Sequence, residues 1–234
     1  MMTIIAHRCG TDKFPELTIQ AAQYSLKAGA DYVEMDVRFT RDNQLVISHD
    51  DNAKRVYGCD AKISDMTLTE FLALRHKDKT EFPAHTVQDF FKSGVENILF
   101  HIKEGEKGLG TLLECIRQYK LEDKVVIGVM SCDDVQVVKN FNPQIRVLAF
   151  MRSAGDTEKF ASLGADIIRL WESWVSEDSI KEVKALGKKV WIMAGMPYQG
   201  SVGYTKDEHI VLWNKLGADG VLLDEIVGVK NLLK

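Results

Sequence analysis

The sequence predicts an α/β fold of the (β/α)₈ TIM-barrel type, with a small insertion after the second strand. Three observations carry that expectation. Eight short apolar segments alternate with amphipathic stretches along the chain. One junction, a helix end followed by glycine and Ala-Asp, recurs at Gly29-Ala30-Asp31, Gly164-Ala165-Asp166 and Gly217-Ala218-Asp219. Titratable side chains collect where the first three apolar segments end, as barrel strands require of a reactive face.

The elements follow in order. Thr3 to His7 is short and apolar and ends in His-Arg-Cys-Gly, a strand feeding a loop. Pro15 is expected to open a helix that runs to Ala28, since a proline in the first turn sacrifices no helix bond. Gly29 stops that helix, because glycine takes a positive φ without penalty. A second strand runs from Asp31 to Val37, and Leu45 to Ser48 extends it or returns toward His49. The remaining strands are expected at 97–103, 124–128, 145–149, 167–170, 189–193 and 220–223. Helices between them fall at about 108–119, 133–140, 157–163, 177–186 and 206–216, with a short helix in the tail. No GxGxxG stands behind a dinucleotide-binding sheet.

One connection breaks the rhythm. From about residue 50 to 82 the chain is polar, with one apolar-periodic piece at Met66 to Leu74. Insertions of this kind sit in βα loops and often shape the mouth of a barrel. Because it begins directly after His49, this one is expected to cover part of a pocket; a plain surface excursion is the alternative. No linker divides the chain, so residues 1–234 are expected to form a single domain.

Thirty basic against thirty-four acidic residues leave a net charge of -4, which argues against a general nucleic-acid binder. Four cysteines without a CxxC pair read as reduced thiols, Cys9 being the one placed to react. No stretch approaches the roughly 20 apolar residues that span a bilayer, and MMTIIAHR is unlike a signal peptide. A cytoplasmic protein without a membrane anchor is therefore expected; nothing in the sequence reads as an oligomerisation patch.

The strand ends carry the chemistry. Glu34 and Asp36, two apart on one strand, point to one side together with Tyr32. Two ionised carboxylates side by side need a cation or a proton between them. His101 at the end of the third strand adds a nitrogen ligand, and the set suits Mg²⁺, Ca²⁺, Mn²⁺ or Zn²⁺. Lys103 aims a cation at the same place, either for an anionic oxygen or for a salt bridge to Glu34 or Asp36. His7 and His49 are the acid–base candidates, since imidazole exchanges protons near neutrality. Arg8 offers a planar fork for phosphate oxygens. Asp50 orients the His49 ring or ligates the metal, and Trp171 and Trp174 line a pocket or pack. A metal-assisted phosphodiesterase site is the reading that uses these residues together.

The run from Ala6 to Asp50 resembles the start of the glycerophosphodiester phosphodiesterase family. The resemblance rests on His7-Arg8, Pro15-Glu16, Thr18, Gly29 to Asp31, Glu34, Asp36, Thr40, Asp42 and His49-Asp50, and continues more loosely to Gly217–Asp224. It implies a barrel with an inserted region after the second strand. It implies one divalent cation at Glu34 and Asp36, Mg²⁺ or Ca²⁺ first and Mn²⁺ or Zn²⁺ next. It implies His7 and His49 as acid and base in unassigned order, and Arg8 and Lys103 on phosphate. Glu16 and Trp191 fall where positioning or pocket-lining residues are expected. The implied reaction takes a small-molecule glycerophosphodiester to an alcohol and sn-glycerol 3-phosphate. A diester with another headgroup, a cyclising lyase and a non-catalytic phosphate binder are the alternatives. The sequence also departs from the family pattern. Cys9 and Asn43 replace glycines, Leu17 replaces an asparagine, and Trp191–Gly195 stands where Trp-Thr-x-Asn is usual. His101 replaces an acidic metal ligand, which removes a negative charge and favours weaker metal binding or a softer ion.

Overall fold

The computed structural model describes residues 2–103, 106–196 and 200–234. Its strands are β1 (Thr3–Ala6), β2 (Tyr32–Phe39), β3 (Leu45–Ile47), β4 (Arg75–His76), β5 (Lys79–Pro83), β6 (Ile98–Ile102), β7 (Val125–Val129), β8 (Arg146–Ala149), β9 (Ile167–Trp171), β10 (Lys189–Met193) and β11 (Gly220–Leu223). The helices are α1 (Ile19–Ala28), α2 (Lys54–Tyr57), α3 (Leu68–Leu72), α4 (Val87–Lys92), α5 (Glu106–Tyr119), α6 (Cys132–Phe141), α7 (Thr157–Ser162), α8 (Glu177–Ala185), α9 (Asp207–Lys215) and α10 (Val229–Leu232).

Eight strands, β1, β2, β6, β7, β8, β9, β10 and β11, pair in parallel in that order. β1 closes the ring by pairing with both β11 and β2. The strands present two faces. Outward residues such as Val33, Met35, Phe100, Ile127 and Val147 join the helices in one large buried layer. Inward residues, among them Ile5, Leu99, Val126, Leu148, Ile167 and Leu222, fill the barrel interior. This is the alternation that a parallel strand buried on both sides requires.

The three repeated junctions act as staples. Gly29, Gly164 and Gly217 all lie at positive φ, between 91° and 118°, where a side chain would be strained. The aspartate two residues on then grips the preceding barrel strand. Asp31 accepts from the Ile4 amide at 2.8 Å, Asp166 from Val147 at 2.8 Å and Asp219 from Val190 at 2.7 Å. Each aspartate amide donates back to the carbonyl of the same residue. One sequence signature thus fixes the register of three neighbouring strand pairs.

The expected helix opening at Pro15 is corrected. α1 begins at Ile19, and Thr18 caps it by accepting from the Ala21 amide at 3.1 Å. Pro15 to Leu17 instead turn the chain back beside the first strand end, where the Leu17 amide donates to the Arg8 carbonyl at 2.8 Å. Leu17 sits at φ 57°, in the left-handed region that an asparagine tolerates better. Asn43 also has positive φ, 58°, as its place in a turn demands.

The stretch after β2 is more ordered than its polarity suggests. β3 returns antiparallel along the end of β2, β4 and β5 form a hairpin, and Val46, Ala53, Ile63, Met66, Phe71 and Ala84 make a small core of their own. α4 follows with a capping box between Thr86 and Asp89. Among the described residues no helix is long and apolar enough to cross a membrane.

Candidate active site

The C-terminal ends of the barrel strands open into a cleft of about 460 Å³, whose lining includes the polar groups His7, Arg8, Glu34, His49, His101 and Lys103. Met130, Phe150, Met151, Arg152, Arg169, Trp171, Met193 and Val202 complete it. β1 delivers His7 and Arg8 on a tight turn in which Arg8 and Cys9 take φ of 48° and 69°. Non-glycine residues rarely adopt such angles, and they do so where the surroundings over-determine them. Here the Arg8 amide donates to Glu34 at 2.8 Å, which ties the turn to β2.

Each imidazole is held by a carboxylate. His7 Nδ1 lies 2.5 Å from Asp224 Oδ1, and His49 Nδ1 lies 2.7 Å from Asp50 Oδ1. With Nδ1 so engaged, Nε2 is the nitrogen left for a substrate. The two rings are biased in opposite directions. Burial works against the charged form of His7, but the Asp224 bond and the fields of Glu34 and Asp224 outweigh it and raise its pKa. Burial lowers the pKa of His49, and Lys103 and Arg8 add to that despite Asp36 and Asp50. Arg38 further fixes His49 by donating Nε and Nη2 to its carbonyl at 3.1 and 2.8 Å.

Glu34, Asp36 and His101 bring one ligand atom each to within 4.8 Å of one another. Adjacent registers on β2 and β6 produce this, since Asp36 pairs with His101. Both carboxylates are buried. Burial, and then the charge of Asp36, push the Glu34 pKa up to about 7. Asp36 is held well below the carboxylate range: burial opposes its ionisation, but Lys103 and His101 overcome it. Lys103 Nζ lies 2.9 Å from Asp36 Oδ1 and 3.1 Å from His101 Nδ1. Neither Asp36 oxygen has a hydrogen-bond partner of normal geometry, and His101 Nε2 has none either. A buried carboxylate pair that retains a proton near neutrality, with His101 Nδ1 3.2 Å from Asp36 Oδ1, has the chemistry of a divalent-cation site. These residues therefore fit the cation that the sequence implied. The His101 ring is stacked on Phe150 at 3.9 Å, which sets its orientation.

The remaining candidates divide. Glu16 does not line the cleft; it accepts from Arg8 Nη1 at 3.1 Å and from Arg55 at 2.5 Å. Arg55, on α2, also donates to Asp50 at 2.5 Å. The insertion was expected to cover the pocket, and that is corrected: none of its described residues lines the cleft. It instead holds Glu16 and Asp50, the supports of Arg8 and His49. Trp171 lines the cleft, whereas Trp191 does not. Trp191 plugs the opposite mouth of the barrel, 5.7 Å from the Tyr32 ring, over Gly220, where a Cβ would come within 2.6 Å of the indole. Met193, two residues on, is the β10 side chain that reaches the cleft. Cys9 is fully buried with its thiol pKa pushed well up by desolvation, so it is not a reactive thiolate. Asp224, Arg38, Arg55 and Arg169 were not singled out from the sequence as site residues. The strand-end rule could have found Asp224, which directly follows β11.

The mouth of the closed barrel thus gathers two carboxylate-held histidines, the Glu34–Asp36–His101 cluster and four basic side chains, Arg8, Lys103, Arg152 and Arg169. The chain belongs to the glycerophosphoryl diester phosphodiesterase family, whose model matches residues 7–227. A glycerophosphodiester phosphodiesterase from Caldanaerobacter subterraneus subsp. tengcongensis is 27% identical over 157 residues. That match spans 62% of this chain and 64% of the relative, a little under two thirds of its length. The fold matches the glycerophosphodiester phosphodiesterase of Thermotoga maritima with a TM-score of 0.79 at 22% identity, covering 100% of this chain and 99% of that one. It matches an Oleispira antarctica phosphodiesterase with a TM-score of 0.84 at 20% identity, covering 99% and 96%.

Proposed function

We propose that this chain hydrolyses a small-molecule glycerophosphodiester to an alcohol and sn-glycerol 3-phosphate, with one divalent cation held by Glu34, Asp36 and His101. The observation that carries the reading is the pair of oppositely biased imidazoles facing one cleft with that triad. The Oleispira relative was solved with the product sn-glycerol-3-phosphate, which supports the substrate class. Mg²⁺ or Ca²⁺ is the first choice of ion, and the imidazole ligand keeps Mn²⁺ and Zn²⁺ as alternatives. Once bound, the cation supplies positive charge to the phosphoryl oxygens.

The chain's own groups do the rest. Arg8 is anchored through Nη1 to Glu16 and lines the cleft, where its guanidinium offers positive charge to a phosphoryl oxygen. Lys103 lines the cleft and contributes a second positive charge. His49, kept neutral, takes the proton of the attacking water. His7, kept protonated by Asp224, returns a proton to the departing alcohol. Environments that push two titratable groups apart in this way assign base and acid.

A hydrolysis panel tests the reading. Several glycerophosphodiesters are incubated with each of the four ions and the products identified. Metal-dependent release of alcohol and sn-glycerol 3-phosphate is expected. A cyclic phosphate product would make the protein a lyase, and binding without turnover would make it a phosphate-ligand module.

A further inference from the structure

The cleft carries a charge that the hydrolysis reading leaves unused. β9 directs Arg169 into the barrel, where it is 3% exposed. Its Nη2 donates to the Met151 carbonyl at 3.2 Å, but Nε and Nη1 are buried without a partner. Among the described residues no carboxylate forms an ion pair with it. The guanidinium lies 4.1 Å from the Trp171 ring centroid, 5.5 Å from Phe150 and 5.6 Å from Trp174. Burial pushes its pKa down to about 9, so it remains a cation at neutral pH. A buried, uncompensated charge is strongly unfavourable unless something supplies the opposite charge. Arg169 lines the cleft itself, so that charge can come from a ligand.

Its position says which part of a ligand. Arg8 and Lys103 sit with His7 and the triad. Phe150 stacks on His101 and also neighbours Arg169, which sets the guanidinium one aromatic ring beyond the reacting centre. Arg152, exposed on the same rim, adds a further positive charge. The aromatic faces of Trp171 and Phe150, which would otherwise receive a quaternary ammonium, are already approached by a guanidinium. Resting on the hydrolysis reading above, we propose that Arg169 binds an anionic group, a carboxylate or a phosphate monoester, on the headgroup alcohol. The protein thereby prefers acidic headgroups to neutral ones and rejects cationic ones.

The test uses uncleavable phosphonate analogues of four glycerophosphodiesters, with 3-hydroxypropionate, 3-hydroxypropyl phosphate, propanol and choline heads. Their binding to the full chain is measured by calorimetry with Mg²⁺, Ca²⁺ or Mn²⁺ present, in the wild type, Arg169→Met and Arg169→Lys. One fork contact to a charged group predicts about tenfold tighter binding of an anionic head over propanol in the wild type. Choline should bind most weakly. The anionic-over-propanol ratio should fall to near unity in Arg169→Met and be partly kept in Arg169→Lys. Whichever anionic head gains more identifies carboxylate or phosphate as the preferred group. Equal wild-type binding of anionic and propanol heads would overturn the proposal, with or without a foldable variant. So would a uniform loss in Arg169→Met that leaves the ratio intact. Headgroup preference in binding without hydrolysis of the parent diesters would defeat the hydrolysis reading alone; hydrolysis without preference would defeat this inference alone.

Discussion

His49→Ala lowers turnover by about 10²–10⁴-fold with the barrel still folded, and His7→Ala does the same, the range expected for loss of a general base or acid. Neither ring belongs to the apolar layers of the barrel, although His7 is buried; each lines the cleft and bonds one carboxylate. Removing either therefore removes a proton-transfer group rather than a core contact. The pH dependence follows from the sign of each shift. His49 acts when neutral and its pKa is lowered from 6.5, so activity rises through a midpoint below that value. His7 acts when protonated and its pKa is raised from 6.5, so activity falls through a midpoint above it. Asp224→Asn weakens the bond that raises His7, so it should move the alkaline limb to lower pH. Rate profiles of the purified variants, with circular dichroism as the folding control, check all of this. Near-normal rates in both alanine variants at every pH would remove the assigned roles.

Asp36→Asn weakens divalent-cation binding at least about 100-fold, beyond the 10–100-fold typical of losing a residue that only supports a ligand. The carboxylate is buried, and its oxygens lack normal hydrogen-bond partners, so nothing nearby replaces its charge. The wild-type affinity should itself depend on pH. Glu34 binds a proton up to about pH 7, and the ion must displace it. Below that pH the affinity should fall by about tenfold per unit, as one competing proton requires. His101, pushed down to about 4 by burial, stays neutral over this range and adds no second proton. The same shift acts on the metal-free fold. The unfolded chain ionises Glu34 near 4.5, so stability declines as pH rises from about 4.5 to 7, and a bound ion restores it. Mn²⁺ titrations followed by paramagnetic resonance at several pH values measure the two affinity effects, and urea unfolding of the metal-free protein over the same pH range measures the stability effect. A pH-independent affinity would take Glu34 out of the ligand set.

The barrel was legible because its signals are local and repeated. Glycine with positive φ followed by Ala-Asp occurs three times, and each copy performs the same cap and the same strand staple. Glu34, Asp36 and His101 were legible because strand periodicity places side chains two apart on one side and barrels react at strand ends. The Pro15 to Thr18 turn is not legible in the sequence, because proline in a first helical turn and proline in a turn before a cap share one sequence pattern. The tertiary bond from Leu17 to Arg8 decides between them. Thr86 and Asp89 carried a readable capping signal for α4 that polarity upstream obscured. Asp224 lies 217 residues from His7, and no local pattern links them. Arg169 looked like an ordinary strand residue; only the burial of its unpaired nitrogens shows otherwise. Trp191 shows the converse, since its strand position could not say which mouth of the barrel the ring would fill.

Crystals grown with Mn²⁺ and measured at the manganese absorption edge test the central claim most directly. The predicted result is one anomalous peak bounded by Glu34, Asp36 and His101, on the same cleft as His7 and His49, and its loss in Asp36→Asn. Anomalous density elsewhere, or none while Lys103 still neutralises Asp36, would contradict it.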